Sequence, residues 1–487
     1  MAHAGISRFQ MMTETPIPSL IRTLSIPPII SMLITSVYNL ADTFFVSQIS
    51  TSASGAVGIV FSLMAIIQAI GFTLGMGAGM NISRLLGQED LERAHLFAST
   101  SFFSGLILGS LLSITGIIFL EELVVALGAT PTILPYAMDY CRIILLGTPI
   151  MASSFVMNNI LRSQGNSFLS MIGIGTGALL NIILDPIFIF VFGWGIGGAA
   201  AATVLSQILS FFLLYYIISR ESNGVQIRWR YFRPVWSVYR YILSNGLPSF
   251  YRQMLASFAT ILLNLCAAPY GDAAIAAMSI VARLNHFLMS FILGFGQGFM
   301  PLAGFNYGAK KYQRVWDSFF YCQKLAVSFL AFMAIVFFIE APDIISLFRR
   351  EDLEVIRIGT LALRLQCLVL PLQAWVILCN MLTQSLGKSI QASIMAVSRQ
   401  GIFLLPALLI LSSTIGLLGV QCAQPIADVL TFILSLATTL PVLKMLHEKS
   451  GEDELGRNAA VAGMAGAVPA LALEPAIDES NLSDLEG

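Results

Sequence analysis

Twelve stretches of this chain stay apolar for the roughly 20 residues that a helix needs to cross the ~30 Å hydrocarbon layer of a bilayer. Inside a bilayer each backbone polar group must be satisfied by the protein itself, so segments of this length can only build a helical bundle. Six of them begin near Leu20, Gly55, His95, Ile133, Ser167 and Ile196. After a polar linker from Glu221 to Arg240, six more begin near Tyr241, Ala274, Val315, Ile356, Ser389 and Leu418. Only 11% of the 487 residues are charged, against about 25% in soluble domains. The mean hydropathy is +0.81. The expected fold is an all-α polytopic membrane protein with 12 transmembrane helices.

The two sets of six are copies of each other. Sliding the chain on itself by 221 residues puts Pro27 on Pro248, Gly75 on Gly296, Gly77 on Gly298, Gly87 on Gly308 and Arg93 on Arg314. After one slip the shift becomes 222, and Pro149 falls on Pro371, Asn158 on Asn380, Gly165 on Gly387 and Gly197 on Gly419. Matches spread over most of a half at a nearly constant offset mark an internal duplication. The predicted organisation is an N-terminal lobe over 1–220, a cytoplasmic linker over 221–240 and a C-terminal lobe over 241–446. Past that, Glu448 to Glu486 holds nine acids against Lys449 and Arg457, so 447–487 reads as a disordered acidic tail.

Short cytoplasmic loops carry excess Lys and Arg. The loops after spans two, four, eight and ten hold Arg84 and Arg93, Arg162, Lys310 with Lys311 and Arg314, and Lys388, and the linker holds Arg228, Arg230 and Arg233. The opposite loops, around Thr51, Thr130, Trp194, Asp272 and Thr414, have no Lys or Arg. One loop dissents, with Arg349, Arg350 and Arg357 beside Glu351, Asp352 and Glu354. Both halves then start from the cytoplasm, with both termini there, so the repeats are parallel. They form two pseudo-twofold-related six-helix lobes around a central cleft. Such lobes suit alternating access, which makes a transporter the leading class.

Other classes find little support. A net charge of −1 with scattered basic residues gives no nucleic-acid footprint. The six cysteines have neither redox nor zinc spacing. The N-terminus up to Ser19 lacks a secretory signal pattern. A membrane-embedded hydrolase could bury two aspartates, but there is no HExxH pair and no GxSxG elbow, and only four histidines occur. The chain is therefore not read as an enzyme.

The polar residues inside the spans carry the chemistry. An acid in a lipid-spanning helix costs roughly 2.5 to 3.5 kcal/mol, so it usually faces a partner or a water-filled path. Asp185 stands among aliphatics directly before Pro186, with Asn181 four residues earlier on the same face. Tyr38 and Asp42 repeat that spacing in span one. At the Asp42 and Asp185 positions the second half has Leu263 and Ala407, so the acid site belongs to one lobe. The second lobe instead carries Arg252, Arg283, Arg399 and Asp428. Arg399 with Asp428 is either an internal ion pair or part of the substrate path. His286 shares a face with Arg283 and reads as a hydrogen-bonding bundle residue.

Three pieces of this sequence, Tyr38-Asn-Leu-Ala-Asp-Thr-Phe-Phe-Val46, Arg162-Ser-Gln-Gly-Asn166 and Asn181-Ile-Ile-Leu-Asp-Pro186, resemble the multidrug and toxic compound extrusion family. The likeness is to its prokaryotic branch, which includes DinF-like and MepA-like exporters, and covers about residues 15 to 445. It implies a secondary active multidrug exporter in a prokaryotic inner membrane, antiporting amphiphilic cationic compounds against protons or sodium, monomeric, with membrane lipids and small organic substrates as partners. By resemblance the coupling ion binds at Asp42, Asn181, Asp185 and Thr203, which could also serve sodium, with Tyr38 lining the pocket and no other cofactor or metal. Vibrio-type members place further acids in spans seven and ten, where this chain has Arg252, Gln253, Arg364 and Gln366. A lipid-linked precursor flippase of the same superfamily is the rival reading, kept open by Arg252, Arg283 and Arg399. Fourteen spans would favour it.

Overall fold

The computed structural model describes residues 7–221, 224–348 and 352–463. Among them are twelve helices long and apolar enough to cross a membrane. Spans one to six are Ile17–Ser47, Ser52–Gly87, Leu91–Ile118, Leu134–Ser163, Ser167–Val191 and Gly195–Arg220. Spans seven to twelve are Trp236–Tyr270, Asp272–Gly308, Tyr312–Ile339, Leu353–Ser385, Ser389–Ile415 and Leu417–Gly451. Large apolar side chains such as Phe44, Leu111, Phe212, Ile261, Phe332 and Ile433 face outward, as lipid as the surrounding solvent requires.

Local chemistry sets the helix ends. Ser50 and Asp90 cap spans two and three by accepting from Ala53 N and Arg93 N, which satisfies donors that have no partner within the helix. Spans four and ten both end on a glycine in the left-handed region, Gly165 at φ 83° and Gly387 at φ 76°. A side chain would be strained there. The bond that closes each of these turns recurs too, Asn166 N to Leu161 O at 3.1 Å and Lys388 N to Thr383 O at 2.8 Å. Spans two and eight share a second turn type, in which the non-glycine residues Glu89 and Lys310 take φ of 61° and 58°. Asn158 Nδ2 donates to Ser170 O at 2.9 Å, and Asn380 Nδ2 to Ala392 O at 2.7 Å, so even buried side-chain bonds follow the duplication.

The lobes join through span one against span eight and span two against spans seven and eight. Contacts gather toward the end that carries Arg84, Lys310 and Lys388. Ser25 Oγ donates to Phe295 O at 3.1 Å, and Asn81 Nδ2 to Tyr241 O at 3.3 Å. Arg162 Nη1 crosses from span four to Gln297 Oε1 in span eight. One of the closest approaches is reciprocal. A Cβ on Gly87 would sit 2.0 Å from the Phe305 carbonyl oxygen, and one on Gly308 would sit 2.0 Å from that of Arg84. Since 84 and 305, and 87 and 308, are 221 apart, each contact is the other rotated about the pseudo-twofold axis.

Two boundaries differ from the sequence reading. Span seven starts at Trp236 rather than Tyr241, because the polar turn Trp236 to Arg240 extends the helix past its apolar part. What remains of the linker is pinned to the first lobe, with Val225 N donating to Gln164 Oε1 and Gln226 N to His95 Nδ1, both at 2.9 Å. The last helix continues to Gly463, past the expected start of the tail at residue 447. Propagating an existing helix is cheap, and the Glu, Lys, Leu and Ala residues of this stretch are good helix formers. Residues 464–487 of the expected tail, and Arg349 to Glu351 of the dissenting loop, lie outside the described residues.

Candidate functional site

Span five brings Asn181 and Asp185 to one buried face, and spans one and six pack against it. Asp185 is fully buried and Asn181 is 2% exposed. Asn181 Nδ2 donates to Asp185 Oδ1 at 3.1 Å and to Thr203 Oγ1 of span six at 3.2 Å. Directly after Asp185 the helix loosens into a π turn over Ile187–Val191. Pro186 cannot donate to the preceding turn, and such wide turns recur at functional sites. Asp42 of span one is 9% exposed, and Tyr38, one turn before it, lies within electrostatic reach of both acids. The structure thus converges Tyr38, Asp42, Asn181, Asp185 and Thr203 from three helices.

Two further residues join this site. Tyr140 of span four is 3% exposed and lies beside the Thr203 side chain, within electrostatic reach of Asp42 and Asp185. Ser206, one turn beyond Thr203, is buried with its hydroxyl unpartnered. Neither was singled out from sequence. For Tyr140 the available signal was a phenol inside an apolar span, since a buried tyrosine hydroxyl usually has a partner.

The unmet valences define what the site can do. Asp42 Oδ1, Asn181 Oδ1 and Asp185 Oδ2 are all buried without a hydrogen-bond partner. Buried polar atoms are overwhelmingly paired, and an orphan costs about 1 to 3 kcal/mol. All three orphans are acceptors, so the missing species is a donor or a cation. A proton on one carboxylate fits, and so does a small hard cation, which takes oxygen ligands.

The second lobe is arranged differently. Asp428 in span twelve accepts from Arg399 Nε at 2.8 Å and Gln424 Nε2 at 3.0 Å on one oxygen. Its other oxygen accepts from Gln366 Nε2 at 3.0 Å and Gln373 Nε2 at 2.5 Å. Four donors fill the roughly four acceptor sites of a carboxylate. Arg399 stands on the π stretch Ser398–Leu404, whose widened turn aims its side chain at span twelve. Arg252 is half-buried in span seven and Arg283 is exposed in span eight, and neither forms an ion pair among the described residues.

Two six-helix lobes, duplicated in parallel and joined at one end, with a cation-seeking site buried inside one of them, are the build of a membrane transporter. The family model for MatE matches residues 27–187 and 248–410. The chain belongs to this family of multidrug and toxic compound extrusion transporters. It is 30% identical over 416 residues to the multidrug export protein MepA of Staphylococcus haemolyticus, covering 85% of this chain and 91% of that one. To MepA of Staphylococcus aureus it is 29% identical over 426 residues, covering 87% and 93%. A crystal structure of MATE in complex with MaL6 superposes with a TM-score of 0.85 at 28% identity, covering 91% of this chain and 100% of that one. A MOP superfamily transporter from Pyrococcus furiosus, described as having a binding pocket of reverse polarity, gives 0.84 at 28% identity, covering 91% and 99%.

Proposed function

We propose that this chain is a multidrug efflux transporter that exports amphiphilic cationic compounds by antiport against protons, with sodium as the alternative coupling ion. The observation that carries this reading is the set of orphaned oxygens on Asp42, Asn181 and Asp185. A site short of donors takes up a cation from one side and releases it to the other as the lobes rock. In this reading the end with Arg84, Lys310 and Lys388 faces the cytoplasm of a prokaryotic cell, both termini lie there, and the monomer is the working unit. The transported compound occupies the cleft between the lobes, reached by Tyr38, Arg252 and Arg283. The proton is preferred because a carboxylate held away from water takes one readily, whereas sodium needs several oxygens held together. When the exchange carries one net positive charge inward, as with two protons per monovalent cation, the membrane potential contributes about 2.3 kcal/mol per 100 mV, roughly a fiftyfold gradient of the compound.

A second reading, a flippase for a lipid-linked anionic precursor, rests on Arg252, a half-buried cation with no carboxylate paired to it among the described residues. The count of twelve spans rather than fourteen is against it. Everted vesicles acidified inside separate the possibilities. Added substrate should alkalinise the lumen without sodium; strict sodium dependence that survives collapse of the pH gradient would replace the proton, and no substrate-linked ion flux would reject antiport.

A further inference from the structure

The duplication creates two notches between the lobes at the end where they touch, and their occupancy differs. One is bordered by Phe305, Asn306, Arg314, Gly165 and Asn166. The N-terminal segment fills it: Arg8–Glu14 is helical, Phe9 packs on Phe305 with ring centroids 5.7 Å apart, and Met12 is fully buried. Asn306 Nδ2 donates to Met12 O at 3.1 Å, Lys311 Nζ to Thr13 O at 3.4 Å, and Arg314 Nη2 to Thr15 O.

Carried to their repeat equivalents, 221 residues back or 222 forward, the same borders are Arg84, Leu85, Arg93, Gly387 and Lys388. These line a cavity of about 360 Å³ together with Ser237, Tyr241, Ser244, Asn245 and Lys310. Arg84, Arg93, Lys310 and Lys388 contribute to the wall, and no Asp or Glu does. Arg93 pairs with Asp90 at 3.4 Å, but Arg84, Lys310 and Lys388 form no ion pair among the described residues. Among the described residues Arg84 bonds only to Asn81 Oδ1 at 2.7 Å and Met80 O at 3.3 Å. Loop charges that merely set orientation need no cavity. Arg84 is half-buried inside a helix, between the lobes.

An occupant of matching charge belongs to the same chain. Residues 464–487 contain Glu474, Asp478, Glu479, Asp484 and Glu486 and no Lys or Arg, with Ile477, Leu482 and Leu485 between them. The last helix leaves the bundle beside the cavity. Lys449 Nζ lies 5.3 Å from the ring centroid of Tyr312, a lining residue, and His447 stacks 5.3 Å from Trp316. We propose that the acidic C-terminal segment Glu474 to Glu486 docks in this basic notch, as the N-terminal helix docks in its twin. Docking does not depend on which ion or compound is moved.

The test uses the full chain in native membranes, with a photo-crosslinking phenylalanine analogue at Leu482. Adducts should map to Ser237–Asn245 or Leu386–Lys388 of the same molecule. They should fall several-fold when Lys310→Gln and Lys388→Gln are combined, and fall again as salt is raised. Normal membrane levels of the variant and an unchanged N-terminal contact, followed by a crosslinker at Phe9, show that the fold survives. Adducts on a second copy, on phospholipid or elsewhere on the chain would overturn the proposal, as would capture indifferent to both lysines.

Discussion

At the scale of single residues, burial and pairing separate two groups of charge that look alike in sequence. Asp185 and Asp42 keep unpartnered oxygens, so Asp185→Asn should abolish coupled export while thermal unfolding in detergent stays close to that of the parent chain. Export by this variant at the parental rate would remove Asp185 from the coupling step. Asp42→Asn should lower export severalfold to fully, because two acids that share one ion titrate as a pair. Tyr140→Phe should keep the fold and weaken coupling, read as fewer ions moved per substrate, since it removes a buried hydroxyl from beside Thr203 and the two acids. Asp428 lacks nothing. Arg399→Ala should therefore cost up to about 3 kcal/mol of stability, the low end for breaking a buried pair because three glutamine amides remain, and leave coupling intact. Loss of coupling with unchanged stability would place Arg399 and Asp428 on the transport path. The sequence showed the acids and their helical faces, because an i, i+4 spacing survives without coordinates. It could not show that Gln366 and Gln373 complete the donors around Asp428, because both come from span ten, whose packing on span twelve is not local.

At the scale of helices, the duplication was legible in fine detail. Residues at a constant offset share left-handed turns, closing bonds and the amide bonds of Asn158 and Asn380. The ends of span seven and of the last helix were less legible, since polar residues extend a helix beyond the apolar run that announces it. Neither was the meeting of Gly87 with Gly308 readable, because a glycine repeat does not say what it approaches. Gly308→Ala should push the touching ends apart, as a Cβ 2.0 Å from a backbone oxygen cannot be accommodated by a side-chain shift. Spin labels on the exposed residues Gln88 and Lys310 should report a longer distance in this variant than in the parent, and an unchanged distance would mean that the backbones slide past each other.

At the scale of the whole molecule, twelve spans and two lobes follow from hydropathy and repetition, whereas the closed end does not. Hydropathy does not say which ends of two lobes meet, so only packing identifies the end that is closed here. Here it is the reciprocal contact between Gly87 and Phe305, and between Gly308 and Arg84, that identifies the closed end. Two equivalent surfaces meeting about a twofold axis have the geometry of a homodimer interface, so the seam between the lobes has a form able to join two separate six-helix units. A chain severed between Glu221 and Gly224 should then still assemble when its two parts are made together, each inserting as its own polytopic unit and finding the other through that interface. Recovery of both parts as one complex that exports would bear this out, and parts that insert yet stay apart would mean that the covalent connection is indispensable.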